Sequence, residues 1–273
     1  MTTVDDAGAI AVARRIVEAA GLVGDTYKEK CLRRRIGVRM RACGVHTLSE
    51  YLALLGRVPA EAERLRDTLT INVTRFYRNP ETWDTLRASV LPGLWAARQG
   101  RLAAWSAGCA SGEEPYTIAM LVAERAREAG KPDWLERLHV DATDIDRQSL
   151  ERAARARYRP DAVAELPASL AERYLLPDAG EFRVTSEIRS RVSISRLDLG
   201  SAAPPRASYD LILCRNVVIY FDRAVQERLF LTFASRLAPG GVLVLGKVET
   251  LLGPARNQLQ LVDARERIYR RDA

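Results

Sequence analysis

One stretch, residues 102–120, constrains the fold more than any other part of the chain. It predicts a buried strand over Leu102–Ala107, a turn of small residues over Gly108–Gly112, and a helix that begins near Glu113. This order is typical of the first crossover of a doubly wound α/β domain, which binds its ligand at that point. A helix N-terminus left free would suit a pyrophosphate, but Glu113 and Glu114 stand there and would repel one. The turn therefore predicts a ligand with a cationic or zwitterionic group.

Composition is that of an ordinary globular protein. The 273 residues, of which 47% are hydrophobic and 28% charged, are enough for one α/β domain and a smaller one. No apolar run approaches the roughly 20 residues that span a bilayer, and the N-terminus lacks a signal pattern, so we expect a cytoplasmic protein. The four cysteines lack C-x-x-C spacing, and neither His46 nor His139 has a ligand-like neighbour, so we expect no metal site.

Residues 10–70 predict a helical segment, because apolar residues recur at spacings of three and four. The clearest helix covers Tyr27–Cys43, with an apolar stripe on one face and basic residues on the opposite face and flanks. These basic residues are Lys30, Arg33, Arg34, Arg35, Arg39 and Arg41. With a net charge of +7, they indicate either a solvated surface in an arginine-rich chain or a surface that docks an acidic partner.

After a turn at Asn79-Pro80 the pattern changes to alternating strands and helices. The elements predicted after the first helix are strands at Leu138–Ala142, Val192–Ser195, Leu211–Cys214 and Val242–Leu245, helices at Arg147–Arg155 and Arg223–Leu237, and a closing hairpin of Leu259–Val262 and Arg267–Tyr269. This alternation predicts a mostly parallel sheet with helices on both faces, and the hairpin adds an antiparallel strand at one side.

Ligands of such folds lie over the carboxyl ends of the strands, and two candidate segments come early in the domain. Ser111 and Glu114 fit a capping box, which leaves Glu113 for a ligand ammonium group. After the second strand, Asp144 and Asp146 can each accept ribose hydroxyls or cap the next helix. We assign Asp144 to the ribose and Asp146 to the cap, because Asp144 is nearer the strand.

Two later segments add further candidates. Asp198 can meet an adenine amino group or can be a plain loop acid, while Asn216 and Tyr220 can line a reaction centre. Phe221 is expected to pack and Asp222 to cap the next helix. An adenosine ligand without phosphates, with a cationic centre and an amino acid tail, describes S-adenosylmethionine (SAM).

These segments resemble the chemotaxis receptor methyltransferase (CheR) family, and the resemblance covers nearly the whole chain. The motifs that carry it are Leu69–Arg78, Ser111–Tyr116, Thr143–Asp146 and Cys214–Asp222, in this order. The resemblance implies a SAM-dependent protein-glutamate O-methyltransferase. It also implies a helical domain over residues 1–80 and a class I methyltransferase domain over 81–273, with a small antiparallel β-subdomain inserted at about 174–196.

Matching the family's motifs position by position assigns the residues of the site. The implied contacts to SAM, or to its product S-adenosylhomocysteine (SAH), are Asn72, Thr74, Arg78, Glu113, Asp144, Asp198, Leu199, Asn216 and Val217. Arg78 can pair with the methionyl carboxylate, and we assign Arg78 and Tyr220 to the catalytic pocket. The implied partner is the glutamate-rich helical bundle in the cytoplasmic part of chemoreceptors, for which the basic helix would be a docking face. We expect no nucleic acid partner and no membrane insertion, while the oligomeric state stays open.

Two departures from the family pattern bear on substrate choice. Lys247-Val248-Glu249 stands where His-Ser-Glu is common, so Lys247 either attracts a carboxylate or alters the rim of the pocket. The connection Leu175–Phe182 is short, which predicts that the enzyme does not depend on a receptor's C-terminal pentapeptide.

Three rival functions are a nucleic-acid methyltransferase, a CheR-like methyltransferase with a target outside chemotaxis, and a SAM-sensing scaffold without turnover. The high net charge would suit the first. However, the sequence lacks both an Asn/Asp-Pro-Pro-aromatic motif and a C-x-x-C or Pro-Cys nucleophile.

Overall fold

The computed structural model describes residues 4–21, 27–69 and 74–272. The chain divides into two compact units. The first is Met1–Ile71 with Ile219–Gln226, and the second is Asn72–Val218 with Glu227–Ala273.

The described part of the first unit is helical, as predicted. Its helices are α1 (Val4–Ala19), α2 (Glu29–Cys43), α3 (Leu48–Arg57) and α4 (Pro59–Leu69). In α2 the apolar stripe faces inward, with Leu32 and Ile36 buried. A capping box between Thr47 and Glu50 starts α3, because each side chain accepts a hydrogen bond from the other residue's backbone.

A segment from much later in the chain completes the first unit. The backbone N–H of Lys28 donates to the carbonyl of Tyr220 at 2.8 Å, and the rings of Tyr27 and Phe221 lie 5.6 Å apart. Phe221 is buried and Asp222 accepts a hydrogen bond from the N–H of Val225, so both structural predictions for these residues are confirmed.

The second unit contains a seven-stranded sheet and a three-stranded sheet. The strands are β1 (Leu102–Ala107), β2 (Leu138–Asp144), β3 (Arg157–Tyr158), β4 (Leu175–Asp178), β5 (Glu181–Val184), β6 (Val192–Arg196), β7 (Tyr209–Cys214), β8 (Leu237–Leu245), β9 (Leu259–Asp263) and β10 (Ile268–Arg271). The large sheet has the order β6-β2-β1-β7-β8-β10-β9. Its first five strands are parallel, and β10 pairs antiparallel with β8 on one side and with β9 on the other, so the predicted class I methyltransferase topology is confirmed.

The helices of the second unit include three that the sequence predicted. The helices are α5 (Pro80–Thr85), a π-helical turn at Leu86–Val90, α6 (Leu91–Arg98), α7 (Glu113–Glu128), α8 (Arg147–Arg155), α9 (Ala168–Tyr174), α10 (Ser186–Arg189) and α11 (Arg223–Arg236), whose first turn is counted with the first unit. Of these, α7, α8 and α11 lie close to their predicted positions. The apolar core contains the inward faces of α7 and β1 and includes Met120, Val140 and Leu213.

The start of β8 differs most from its prediction. We expected Pro239-Gly240-Gly241 to separate the helix from a strand at Val242, but β8 begins at Leu237 and runs through these residues. Gly240 has a φ of 74°, and the pairing register of β7 and β8 shifts between Tyr209 and Leu211. The turn-forming residues therefore make an irregularity within the strand rather than a loop before it.

The small sheet has the order β3-β5-β4. Ala179 and Gly180, with φ values of 50° and 83°, form the two-residue turn between β4 and β5. The predicted insert of 174–196 also included Val192–Arg196, but that segment is β6 and pairs with β2 in the large sheet.

The described residues contain neither a membrane-spanning helix nor a cluster of metal ligands. Across the described ranges, none of the helices combines the length and apolar character needed to cross a membrane. Within the same residues, His, Cys, Asp and Glu side chains form no group of three or more that could hold a metal ion.

Candidate functional site

The turn after β1 packs against the end of β2 and against the segment that follows β7. The backbone N–H groups of Gly108 and Cys109 both donate to the carbonyl of Thr143, at 2.8 and 2.9 Å. Gly108 has a φ of 88°, and a Cβ built on it would lie 2.4 Å from a methyl carbon of Val217. Only glycine fits here, so three of the predicted cofactor segments meet at this edge of the sheet.

Glu113 is a buried carboxylate. It is 4% exposed, and its two oxygens accept hydrogen bonds from the Ser111 hydroxyl at 3.0 and 2.8 Å. Burial raises its pKa, while a backbone hydrogen bond and the bond from Ser111 oppose that shift. Among the described residues Glu113 forms no ion pair, so a cationic ligand group would compensate its buried charge.

The predicted capping box is wrong. Gly112 occupies the N-cap position of α7 with a φ of 97° and has no side chain to donate or accept. Glu114 turns away from the cap: it accepts a hydrogen bond from Ser106 at 2.8 Å and pairs with Arg215 at 3.3 Å.

Asp146 has the capping role that the sequence predicted, and Asp144 lies buried at the end of β2. Asp146 caps α8 by accepting from the N–H of Gln148 at 2.9 Å. Asp144 is buried, and its two oxygens accept from the N–H groups of Ala110 and Asp146, each at 2.9 Å. Burial raises the pKa of Asp144, and these backbone bonds oppose the shift. Each carboxylate oxygen keeps a second lone pair, so two ribose hydroxyls can still be accepted.

The segments after β6 and β7 supply the other candidates. Asp198, next to Leu199, is half-buried and accepts from the N–H of Gly200 at 2.8 Å. Asn216 has a φ of 62°, and its N–H donates to Glu249 at 2.9 Å. Its side-chain oxygen Oδ1 is buried without a hydrogen-bond partner among the described residues. The sequence did not predict the role of Glu249, which also accepts from the N–H of Gly246.

Arg78 lies in a turn of unusual backbone conformation. Its neighbours Tyr77 and Asn79 have φ values of 58° and 62°, and its carbonyl accepts from Arg215 at 2.8 Å and from the indole of Trp83 at 3.0 Å. Thr74 is half-buried. Asn72 lies outside the described residues.

Comparison with known proteins decides the family. Residues 11–70 match the all-alpha domain of CheR methyltransferases, and residues 72–268 match their SAM-binding domain. The chain belongs to the CheR methyltransferase family. Its cofactor is therefore SAM, as predicted.

Named relatives agree with this assignment. A chemotaxis protein methyltransferase of Klebsiella aerogenes is 35% identical over 247 residues, covering 87% of this chain and 81% of that protein. Another, from Listeria monocytogenes, is 33% identical over 229 residues and 84% of each chain. An uncharacterized 104.1 kDa protein of Rhodobacter capsulatus is 36% identical over 261 residues, which are 93% of this chain but 27% of that protein.

The described residues of this CheR family member fit SAM. The ligand's ammonium group suits the buried Glu113, and the orphaned Oδ1 of Asn216 offers an acceptor for an N–H or O–H donor. No Cβ projects from Gly108, which leaves the turn close to the Val217 side chain. The donor set therefore matches a zwitterionic nucleoside better than a nucleotide.

The basic residues of α2 fall into two groups, those that bond to other residues of the chain and those that are exposed. Arg39 donates two hydrogen bonds to Glu61, at 2.8 and 2.7 Å, and Arg35 donates to the carbonyl of Thr68 at 2.7 Å. Arg33 pairs with Glu29 one helical turn away. The exposed members are Lys30, Arg34 and Arg41. Arg35 and Arg39 thus hold the first unit together, which corrects their assignment to a docking face.

Lys247 also has partners within the chain. Its ammonium group lies 2.9 Å from Glu81 and 3.3 Å from Glu266, and Glu266 accepts from the hydroxyl of Thr82 at 2.5 Å. Lys247 therefore joins the end of β8 to α5 and to the turn before β10.

Proposed function

We propose that this CheR family member transfers a methyl group from SAM to glutamate side chains of chemoreceptor-type signalling proteins, giving glutamate methyl esters. The observation that carries the cofactor part is the buried carboxylate of Glu113 at the start of α7, whose pKa is raised by burial. The receptor part rests on the family and on relatives named chemotaxis protein methyltransferases.

The proposed chemistry needs little from the protein beyond positioning. A glutamate side chain has a pKa near 4.3, so at neutral pH the substrate is already a nucleophile and no general base is required. SAM, when bound, supplies an electrophilic methyl group on a sulfonium sulfur. Holding the substrate carboxylate in line with that methyl group can contribute roughly 7–11 kcal/mol.

The proposed site residues are assigned to different parts of the cofactor. In our proposal Glu113 and Arg78 hold the two charged ends of the amino acid tail, Asp144 the ribose, and Asp198 the adenine amino group. Asn72, Thr74, Leu199, Asn216 and Val217 complete the contact set. We further propose that Arg78 and Tyr220 shape the pocket for the substrate carboxylate.

A tritiated methyl-transfer assay tests the function. We expect base-labile label on chemoreceptor-containing membranes, because methyl esters hydrolyse readily in base. Label on RNA would instead support a nucleic-acid methyltransferase, label on other proteins a target outside chemotaxis, and no label a SAM-sensing scaffold. In the same assay Tyr220→Phe should lower turnover, and full turnover with unchanged affinity would remove Tyr220 from the pocket.

The exposed residues of α2 give a prediction about receptor docking. We expect Arg34→Glu/Arg41→Glu to weaken methylation of receptors, because both side chains are exposed and would face glutamates of the receptor bundle. Binding of SAH, measured by calorimetry, should stay unchanged. Equal loss of both properties would mean that the variant has misfolded, and equal retention would contradict docking through this face.

The tight β4–β5 turn supports the proposal of pentapeptide independence. Only Ala179 and Gly180 separate the two strands. We expect calorimetry to detect no binding of a receptor C-terminal pentapeptide to the full chain. Saturable binding at the small sheet would overturn this prediction.

A further inference from the structure

Arg215 and Glu114 form a buried ion pair beside the proposed cofactor residues. Their side chains are 3% and 13% exposed, and Nη1 of Arg215 lies 3.3 Å from Oε2 of Glu114. Burial raises the pKa of Glu114 and the positive charge of Arg215 opposes that shift. The guanidinium carbon of Arg215 also lies 5.3 Å from the ring centre of Trp83.

The pair connects three separate segments of the chain. Nη2 of Arg215 donates to the carbonyl of Arg78 at 2.8 Å and to Oδ1 of Asn79 at 3.1 Å, while Glu114 accepts from Ser106 at the end of β1. The linked segments are the turn at residues 77–79, the start of α7 and the loop after β7.

Each linked residue is bonded through the backbone to a proposed cofactor residue. Arg215 precedes Asn216, Glu114 follows Glu113, and the third link is the carbonyl of Arg78 itself. A shift of the guanidinium group would therefore change the distances between the side chains that hold opposite ends of SAM.

Stability alone does not account for this pair. Exchanging a buried ion pair for apolar residues of similar volume is often neutral or stabilising, because both charges lose their hydration. In addition, Nε of Arg215 is buried without a hydrogen-bond partner among the described residues, which costs further free energy. A planar guanidinium group that donates to a carboxylate on one side and to a carbonyl on the other fixes the relative positions of these groups better than an apolar contact does.

We propose that Arg215 and Glu114 are positioning residues that fix Arg78, Glu113 and Asn216 relative to one another for cofactor binding. This inference rests on the proposed cofactor contacts of those three residues. It assigns to Glu114 a function that the sequence alone had given to helix capping.

The test is the double variant Arg215→Met/Glu114→Leu, which removes both charges at similar volume. We expect its Kd for SAH, measured by calorimetry, to rise about tenfold to a hundredfold, as misplacement of binding groups by about 1 Å does for reactions. Its urea midpoint without cofactor should equal that of the wild type. In methylation assays the KM for SAM should rise while the KM for the receptor stays unchanged.

Arg98 and Asp210 provide a matched control, because they form a 2.7 Å pair near the opposite ends of β1 and β7. Arg98→Met/Asp210→Leu should leave the Kd for SAH unchanged. If the first double variant fails to fold, Arg215→Lys replaces it, since lysine keeps the charge but cannot bond in both directions. SAH affinity equal to wild type in the folded variant would overturn the inference. Failure of the wild type to bind SAH would instead overturn the proposed cofactor site.

Discussion

Replacing Arg39 with methionine is expected to lower the free energy of unfolding of the first unit by about 3 kcal/mol, the cost of leaving one member of a buried pair without its partner. Glu61 is 2% exposed and accepts hydrogen bonds from Arg39 and from the buried hydroxyl of Tyr51. Methionine fills much of the same volume but removes both guanidinium hydrogen bonds, so that the nearest remaining cation is Nη1 of Arg64, 3.8 Å from the carboxylate.

Urea denaturation followed by far-UV circular dichroism, with hydrogen exchange of peptides from α2 to α4, measures this effect on the full chain. Arg34→Met is the matched control, because Arg34 is exposed on the same helix and its replacement should change stability by less than about 0.5 kcal/mol. Adding Glu61→Leu to Arg39→Met should restore most of the loss. Equal stability of the Arg39 and Arg34 variants would contradict the structural role of Arg39.

The pair of Arg39 and Glu61 predicts that the free energy of unfolding depends on pH. Burial by itself would raise the pKa of Glu61, but hydrogen bonds from Arg39 and Tyr51 outweigh it, so the pKa in the folded protein lies below its ordinary value. A lowered pKa adds stability that is present above the unfolded-state pKa and lost as pH falls through the folded-state pKa. The difference in free energy of unfolding between wild type and Arg39→Met should therefore be largest at neutral pH and should diminish as the pH is lowered.

The elements with strong local signals could be predicted from the sequence. β1 and α8 have their predicted bounds and α7 begins where it was predicted to begin. Their local signals are clear: a run of apolar and small residues leads to Gly108, and Asp146 stands ahead of α8. The chemistry of the cofactor could also be predicted. In a parallel sheet the carboxyl ends of the strands meet at one edge, so acidic residues that follow the strands lie together at the ligand site. The basic helix α2 could be predicted as well. Which of its arginines are exposed and which bond to other parts of the first unit could not.

Long-range partners could not be predicted. The spacing of Glu114 fits a capping box, but its side chain instead pairs with Arg215, which lies 101 residues away in the sequence. In the same way Arg39 bonds to Glu61 on another helix, and the segment at Phe221 packs with Tyr27 near the start of α2. No periodicity marks such pairs, since they depend on tertiary packing rather than on neighbouring residues.

Replacing Glu113 with glutamine is expected to weaken SAH binding by about tenfold to a hundredfold, because a hydrogen bond to a charged group contributes about 1.5–3 kcal/mol. Glutamine keeps the shape and can still accept from Ser111, but it loses the charge that would hold the ligand ammonium group. Glu128→Gln, at the exposed end of the same helix, should leave SAH affinity unchanged. Calorimetric titration of the three proteins with SAH measures this directly.

The same substitution should stabilise the protein without cofactor, and this second readout separates a binding role from a structural one. Burial raises the pKa of Glu113 in the folded state. A raised pKa contributes stability that is present below the unfolded-state pKa and lost as pH rises through the folded-state pKa, so at neutral pH the ionised side chain opposes folding. Glu113→Gln should therefore have a higher urea midpoint than wild type at pH 7, and the difference should shrink in acid. Lower stability together with lost binding would show that Glu113 holds the turn itself, whereas higher stability with lost binding is the result expected of a buried charge that the fold keeps for its ligand.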